Sequence, residues 1–213
     1  MARLSQGILG PIRGKISNTV GVKRGNSNIL IARPTRTKPA SELQKLQNNR
    51  FKELLRMMKV LKPAIRIGLK TSDPNQSSSN IAMRINKNSL IGDYPDFMWD
   101  FSAIQLSLGD QSPIYEFVCE SNDSSTVQIG WSDNADSGTD LSLVSDKVTF
   151  VCLCEEKNQL VIKSNAAVRE DLSASITLPQ AFIGDTIHVW TFVRGSTNNL
   201  LSNSTYMGNV VLA

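Results

Sequence analysis

The chain is poor in the residues that most often do chemistry or hold metals. Its 213 residues include one histidine, His188, and three cysteines, Cys119, Cys152 and Cys154. A Cys/His zinc site needs four ligands at short spacings, which this set does not provide. Neither a Gly-x-Ser-x-Gly nor a Gly-x-x-x-x-Gly-Lys-Ser/Thr pattern occurs. We therefore predict no catalytic residues, no metal and no cofactor, and interpret the cysteines as small buried apolar residues.

Long hydrophobic runs are also lacking. No window of 18 residues is uncharged and apolar throughout, so we predict no membrane span. The first ten residues hold no apolar core of signal-peptide length, and Arg13 and Lys15 follow them. We therefore expect synthesis in the cytoplasm without a signal peptide, and a virion or another assembly as the destination.

Acidic residues are absent from the first 41 positions, and the charge of the chain is bipolar. Residues 1–70 hold 16 basic and 2 acidic residues, a net charge of +14, whereas the remainder holds 7 basic and 17 acidic residues, a net charge of −10. Such a division indicates that one end meets something anionic. The candidates are nucleic acid, a membrane surface and the acidic half of another copy.

The basic N-terminal region, 1–102, opens with a predicted β-hairpin over 15–33. Two strand-like runs flank Gly25-Asn26, a pair suited to a tight turn because glycine adopts positive φ without penalty. A two-stranded ribbon is marginal in water, so we expect it to dock on its own C-terminal domain or on a neighbour. The candidate residues for binding nucleic acid or an acidic partner are Arg13, Lys15, Lys23, Arg24, Arg33, Arg36 and Lys38.

An amphipathic helix is predicted over 41–61. Ser41 and Gln44 form a capping-box pattern. Apolar residues then recur at three- and four-residue steps up to Leu61, and we expect Lys62-Pro63 to end the helix. Its basic face is either solvated or a contact for an anionic partner. A polar connector over 71–102 follows, in which we expect aromatic residues to fill the seam with the next domain.

Residues 103–213 are predicted to form a β-sandwich. Short alternating or apolar runs recur between turn residues, which is typical of an immunoglobulin-like domain of about seven strands. The run 146–154 has apolar residues on both faces and is interpreted as a central strand. The predicted strands cover 103–108, 125–132, 146–154, 159–162, 172–179, 186–194 and 202–212. The fold class is thus mainly β with one or two helices (α+β), a sandwich preceded by a basic hairpin and a helix.

His188 lies in the middle of a predicted strand. Catalysis by an imidazole needs a nucleophile or a second acid-base group beside it. The sequence has no Gly-x-Ser-x-Gly elbow to supply a nucleophile and leaves a Ser-His-Asp arrangement open. We therefore interpret His188 as a partly buried imidazole with one backbone partner. The protein is accordingly predicted not to be an enzyme and to have no small-molecule substrate.

Three features of the C-terminal half resemble a fibronectin type III domain. These are Trp131 in the second strand, Leu178-Pro179 before the penultimate strand, and the run 202–206 at the start of the last strand. Ile187 stands about where that family often has its corner tyrosine, so the likeness concerns architecture. The resemblance implies a binding or spacing module.

Over nearly its whole length the chain resembles an uncharacterised family of small proteins common in Bacteroidota. Glycine-rich, Pro-containing and aromatic motifs carry this resemblance, which implies no known activity. They are the runs 7–10, 14–16, 20–21, 61–63, 65–68, 92–97, 184–185 and 202–204, with His188, Tyr206 and Gly208. The opening block, a basic glycine-rich hairpin before a capped helix, is also similar to small proteins encoded among phage structural genes.

Three functions are compatible with these features. The first is a structural protein that assembles with itself or with other structural subunits, for example in a phage-type virion. The second is a nucleic-acid-binding protein, although residues 1–50 lack aromatic residues that stack on single strands. The third is a fibronectin-like protein-binding module. We expect no membrane partner.

Overall fold

The computed structural model of the chain describes residues 3–4, 11–24, 27–33, 35, 38–71, 73, 76–122, 125–136 and 141–212. Contacts divide the chain into two compact units. The N-terminal unit comprises Met1–Lys45 with Thr71–Ser77, and the C-terminal unit comprises Leu46–Lys70 with Ser78–Ala213. The boundary between 102 and 103 stays a prediction. No helix within the described ranges has the length and apolar character required to cross a bilayer.

The N-terminal unit contains an antiparallel sheet of four strands in chain order. These are β1 (Arg3–Leu4), β2 (Ile12–Ile16), β3 (Thr19–Arg24) and β4 (Ser27–Ala32). Strands β3 and β4 pair from Thr19 opposite Ala32 to Arg24 opposite Ser27, so the predicted hairpin is confirmed. Its turn residues, Gly25 and Asn26, lie outside the described residues.

The first arm of that hairpin is shorter than predicted. Residues 15 and 16 belong to β2, and a turn at Ser17-Asn18 separates them from β3. Ser17 adopts a φ of 47°, a conformation common in turns and rare in strands. The apparent single strand from 15 to 24 is therefore two strands of a meander.

Helix α1 (Glu42–Val60) agrees with the predicted helix. The backbone N–H of Gln44 donates to Ser41 Oγ at 3.3 Å, and the backbone N–H of Ser41 donates to Gln44 Oε1 at 3.2 Å. The capping box is therefore formed. Helix α1 ends just before Lys62-Pro63, as predicted, and a second helix, α2 (Lys62–Gly68), begins there. Proline is accepted in the first turn of a helix, where its missing N–H is not needed.

The remaining segment before the sandwich is more ordered than its polar composition suggests. It contains helix α3 (Ser78–Ile85) and a two-stranded ladder of β5 (Leu90–Ile91) and β6 (Met98–Trp99). Trp99 and Phe101 pack partly buried against the helical core of the C-terminal unit, as expected, but Tyr94 is exposed. The aromatic run therefore packs against the core through Trp99 and Phe101 but not through Tyr94.

The C-terminal unit contains the predicted β-sandwich. A three-stranded sheet has the order β11-β8-β7, and a four-stranded sheet has the order β10-β9-β12-β13. Their side chains meet in one core that includes Trp131, Phe150 and Val189. The strands are β7 (Val118–Asn122), β8 (Thr126–Gly130), β9 (Lys147–Cys154), β10 (Gln159–Val168), β11 (Ser173–Thr177), β12 (Thr186–Arg194) and β13 (Thr205–Val211).

Strand β9 is buried on both faces for a structural reason. Phe150 and Cys152 face the other sheet, whereas Val151 and Leu153 belong to a second core with the helices. Leu54, Leu61 and Ile65 from α1 and α2 contribute to that second core. One layer of helices therefore covers the outer face of the four-stranded sheet, which explains the unbroken apolar run of β9.

One predicted strand of the sandwich was wrong and one was missed. Residues 103–108 form no strand, although Ile104 and Leu106 are buried. This segment is held instead by side chains, since the Leu106 N–H donates to Ser204 Oγ at 2.8 Å and Ser107 Oγ donates to the Ser202 carbonyl at 2.7 Å. The missed strand is β7, whose run Val118–Asn122 shows no simple alternation of apolar residues.

Candidate functional site

The predicted binding residues lie on and beside the N-terminal sheet. Arg13 and Lys15 are exposed on β2, and Lys23 is exposed on β3. Arg33 follows β4 and Lys38 precedes α1, both also exposed. The side chain of Arg24 and the whole of Arg36 lie outside the described residues.

The sheet does not gather its cations on one face. Lys15 is paired opposite Val20, and Lys23 is paired opposite Asn28. Paired residues in an antiparallel ladder point to the same face, and successive residues alternate. Val20 and Lys23 are three residues apart in β3, so Lys15 and Lys23 project from opposite faces. Positive charge therefore surrounds the sheet and lines no single groove.

Two glycines of the predicted family motifs shape this sheet. Gly14 adopts a φ of 100°, a conformation that favours glycine. Gly14 pairs with Gly21, and a Cβ atom at Gly21 would lie 2.1 Å from the Ile12 carbonyl oxygen. Any side chain at position 21 would displace β2, because carbonyl oxygens and carbons do not approach so closely.

The N-terminal sheet leaves its apolar side chains exposed or half-buried. Of the residues described in the N-terminal unit, no apolar side chain is buried. Ile16, Ile29 and Leu30 are the largest exposed ones on the strands. Strand β4 pairs with β3 along one side only, as far as the described residues go. Within the described residues, this unit therefore has exposed apolar surface and a strand edge without a pairing strand.

His188 has two side-chain partners instead of the predicted backbone partner. Its Nδ1 lies 2.8 Å from the Tyr206 hydroxyl, and its Nε2 lies 3.2 Å from Glu155 Oε2. The imidazole stacks on Phe101 with ring centroids 3.7 Å apart. Burial, followed by the nearby Glu155 carboxylate, raises the pKa of Tyr206. The sequence separates these residues by 18 and 33 positions, so only the sheet register brings them together.

A thiol and two carboxylates form another cluster at the turn after β9. One ligand atom each of Cys154, Glu156 and Asp185 lies within 4.8 Å of the other two. Cys154 Sγ donates to Asp185 at 3.2 Å, and the Lys157 ammonium donates to the same carboxylate. This bond to Lys157 lowers the pKa of Asp185. The Lys157 ammonium thus already forms an ion pair with one of the two carboxylates of this cluster.

A buried ion pair fixes the loops at one end of the sandwich, and sequence reasoning missed it. Arg169 Nη2 lies 3.4 Å from Asp146 Oδ2, and neither side chain is exposed. Arg169 also donates to the carbonyls of Ser112 and Pro113 and to Asn134 Oδ1. Burial lowers the pKa of Arg169. An arginine after a polar strand gives no sign of such burial.

The other oxygen of Asp146 extends this network to a fourth segment. Asp146 Oδ1 accepts the backbone N–H of Ser196 at 3.0 Å, while Oδ2 accepts the side-chain amide of Gln111 at 2.6 Å. The Trp131 indole donates to the Arg169 carbonyl at 3.0 Å. Four separate chain segments therefore meet on one carboxylate–guanidinium pair, which holds their loops in fixed positions.

The fold and these sites define an immunoglobulin-like sandwich protein with a helical layer and a basic N-terminal sheet. The chain belongs to the family of unknown function DUF6266, whose family model matches residues 11–208. The predicted membership of an uncharacterised family is thereby confirmed, while its distribution in Bacteroidota stays a prediction. No curated protein matches the chain, and no solved structure does.

Proposed function

We propose that the protein is a non-enzymatic assembly protein that associates with itself or joins a larger particle. The contacts are its basic N-terminal sheet and its acidic sandwich. The single observation that carries this proposal is the N-terminal sheet, which buries no apolar side chain among its described residues. A sheet of this size needs a packed apolar face to be stable, so a binding partner supplies what the unit lacks.

The edge of that sheet supports association by strand addition. Strand β4, Ser27–Ala32, contains neither a charged residue nor a proline. Proteins normally protect exposed edges with charges, prolines or bulges. The edge strand β10 of the sandwich shows such protection, with Lys163 beside a register shift. The unprotected edge of β4 is therefore suited to pairing with a strand of another subunit.

The sandwich supports the role of a binding or spacing module within the assembly. Its two sheets, with strand orders β11-β8-β7 and β10-β9-β12-β13, are in keeping with the resemblance of the sequence to a fibronectin type III domain. The likeness of the opening block to phage structural proteins makes a virion one candidate particle.

Light scattering coupled to size exclusion tests the proposal. We expect a species larger than one chain whose mass falls between about 50 mM and 500 mM salt, because screening shortens the range of the charge attraction to a few ångströms. The ratio of absorbance at 260 and 280 nm should show no nucleic acid. A monomer at every salt concentration and at high protein concentration would contradict self-association.

A second candidate function is nucleic-acid binding, favoured by the exposed cations around the sheet. Each phosphate contact contributes to a steep fall of affinity with salt. The variant Arg33→Ser/Arg36→Ser/Lys38→Ser should then lose about 10-fold or more in affinity for a DNA or RNA oligomer at low salt. Unchanged binding of both oligomers in this variant would lead us to abandon this function.

A further inference from the structure

The loops at one end of the sandwich form a single fixed surface, here called the loop end. It comprises the β8–β9 connection (131–146), the β10–β11 connection (169–172), the β12–β13 connection (195–204) and residues 110–117, as far as these are described. Backbone hydrogen bonds join these segments. The Trp131 N–H donates to the Leu172 carbonyl at 2.9 Å, the Glu170 N–H donates to the Val144 carbonyl at 3.1 Å, and the Ser112 N–H donates to the Leu141 carbonyl at 2.9 Å. The Arg169–Asp146 network lies beneath these loops.

The loop end exposes apolar side chains from all four segments. Between 40% and 53% of each of these side chains is in contact with solvent. The residues are Tyr115, Leu141, Val144, Leu172 and Leu200. Their loops are tied to one another and to a buried ion pair, so the surface is pre-formed and would lose little conformational entropy on binding a partner.

The same surface is strongly acidic. Six carboxylates are exposed there. The basic residues at this end are Lys147, which is exposed, and Arg194, which is half-buried. The carboxylates are Asp110, Glu116, Asp133, Asp136, Glu170 and Asp171. A surface that exposes both apolar and negatively charged side chains selects a partner that is both apolar and positively charged.

We propose that the loop end binds the N-terminal sheet of a second copy of this chain. One face of that sheet presents exposed Arg13 and Lys15 beside exposed Ile29. We assign this face to the contact because it carries two of the described cations, whereas the other face carries Lys23 with Ile16 and Leu30. The charges of the two surfaces are opposite, and each exposes apolar area that the other would cover. This inference rests on the proposed self-association and assigns the surface that accepts the sheet.

The contact joins two different patches, one on each copy. Such a heterologous contact leaves one free sheet and one free loop end on every pair. Further copies therefore add in the same direction, and the assembly is a ring if the rotation closes or an open filament if it does not.

Charge reversal at the loop end tests the assignment. We expect Glu116→Lys/Glu170→Lys to weaken self-association at about 50 mM salt by roughly 10-fold or more, measured by sedimentation velocity over a concentration series. The matched control is Asp93→Lys/Glu120→Lys, which makes the same charge change at exposed positions away from the loop end. The control should associate like the wild type.

A compensating variant separates a broken contact from a damaged fold. Adding Arg13→Glu/Lys15→Glu, two changes on one face of β2, to the loop-end variant in the same chain restores opposite charges and should recover most of the association. If the wild type associates but the loop-end variant does so equally well, the assignment of the surface is wrong and self-association stands. If the loop-end variant and the control weaken equally, the assignment is also wrong. A monomeric wild type would overturn both proposals.

Discussion

At the scale of single residues, the most consequential side chains are Asp146 and Arg169. Removing one partner of a buried ion pair leaves an uncompensated charge, which costs about 3–5 kcal/mol. We therefore expect Asp146→Ala to lower the free energy of unfolding by about 3–5 kcal/mol in urea titration, because Arg169 keeps its charge without its carboxylate.

The matched control for this prediction removes both charges. The double variant Asp146→Leu/Arg169→Met should lose less stability than Asp146→Ala, since apolar replacement of both partners leaves no unpaired charge. A loss below about 1 kcal/mol in the single variant would show that the ion pair does not organise the loops.

The raised pKa values of two cysteine thiols lead to a prediction of how the free energy of unfolding depends on pH. Burial raises the pKa of Cys152 from 9.0 to about 12 and that of Cys119 from 9.0 to about 11. A pKa that is higher in the folded protein gives stability that is complete below the unfolded value and is lost as pH rises through the folded value. We expect the urea midpoint to decline from about pH 9 upward, with Tyr206 adding to the decline above about pH 10.

Replacing the thiols provides the check on this pH dependence. Cys119→Ala/Cys152→Ala removes two of the groups whose pKa is raised, so its urea midpoint should fall less steeply between about pH 9 and pH 11 than that of the wild type. Parallel curves for the two proteins would assign the alkaline decline to other groups.

At the scale of elements, we predict that a charge placed on the edge strand β4 weakens self-association. Leu30 on β4 and Val211 on β13 are both 60% exposed, and both lie on edge strands. We expect Leu30→Lys to weaken self-association by roughly 10-fold or more because charges protect sheet edges from pairing. Val211→Lys makes the same change on the sandwich and should leave self-association unaltered, as measured by light scattering. Equal effects of the two changes would contradict a specific role for β4.

Elements with a strong local pattern could be predicted from the sequence, whereas others depend on distant residues. The capping box of Ser41 and Gln44 and the double-faced strand β9 are local patterns, and both formed as predicted. The alternation over 103–108 favours a strand, but distant Ser202 and Ser204 take its hydrogen bonds. On the apolar side of α1, Leu54 and Met58 are buried, yet Leu43 and Phe51 remain 75% and 57% exposed. The periodicity of a helix shows which of its sides is apolar, but it does not show whether another element packs on that side.

At the scale of the whole molecule, the predicted charge division has a structural counterpart. The exposed cations described on the N-terminal sheet and the exposed carboxylates of the loop end belong to different compact units. The composition predicted this polarity, because counting charges needs no fold. The grouping of six carboxylates at one end of the sandwich could not be predicted, since four connections separated by up to about 90 residues have to meet first.

The uncharged strand β4 also has a consequence for how the protein is made. A six-residue run such as Ser27–Ala32, without charge or proline, resembles the segments that stack into amyloid. If β4 pairs with a strand of another subunit as proposed, each new copy presents this run until that pairing occurs. A cell that synthesises the protein faster than its partners arrive therefore accumulates a template for fibrils. Balanced synthesis, or a chaperone that holds this edge, is then as much a requirement of the fold as its buried core.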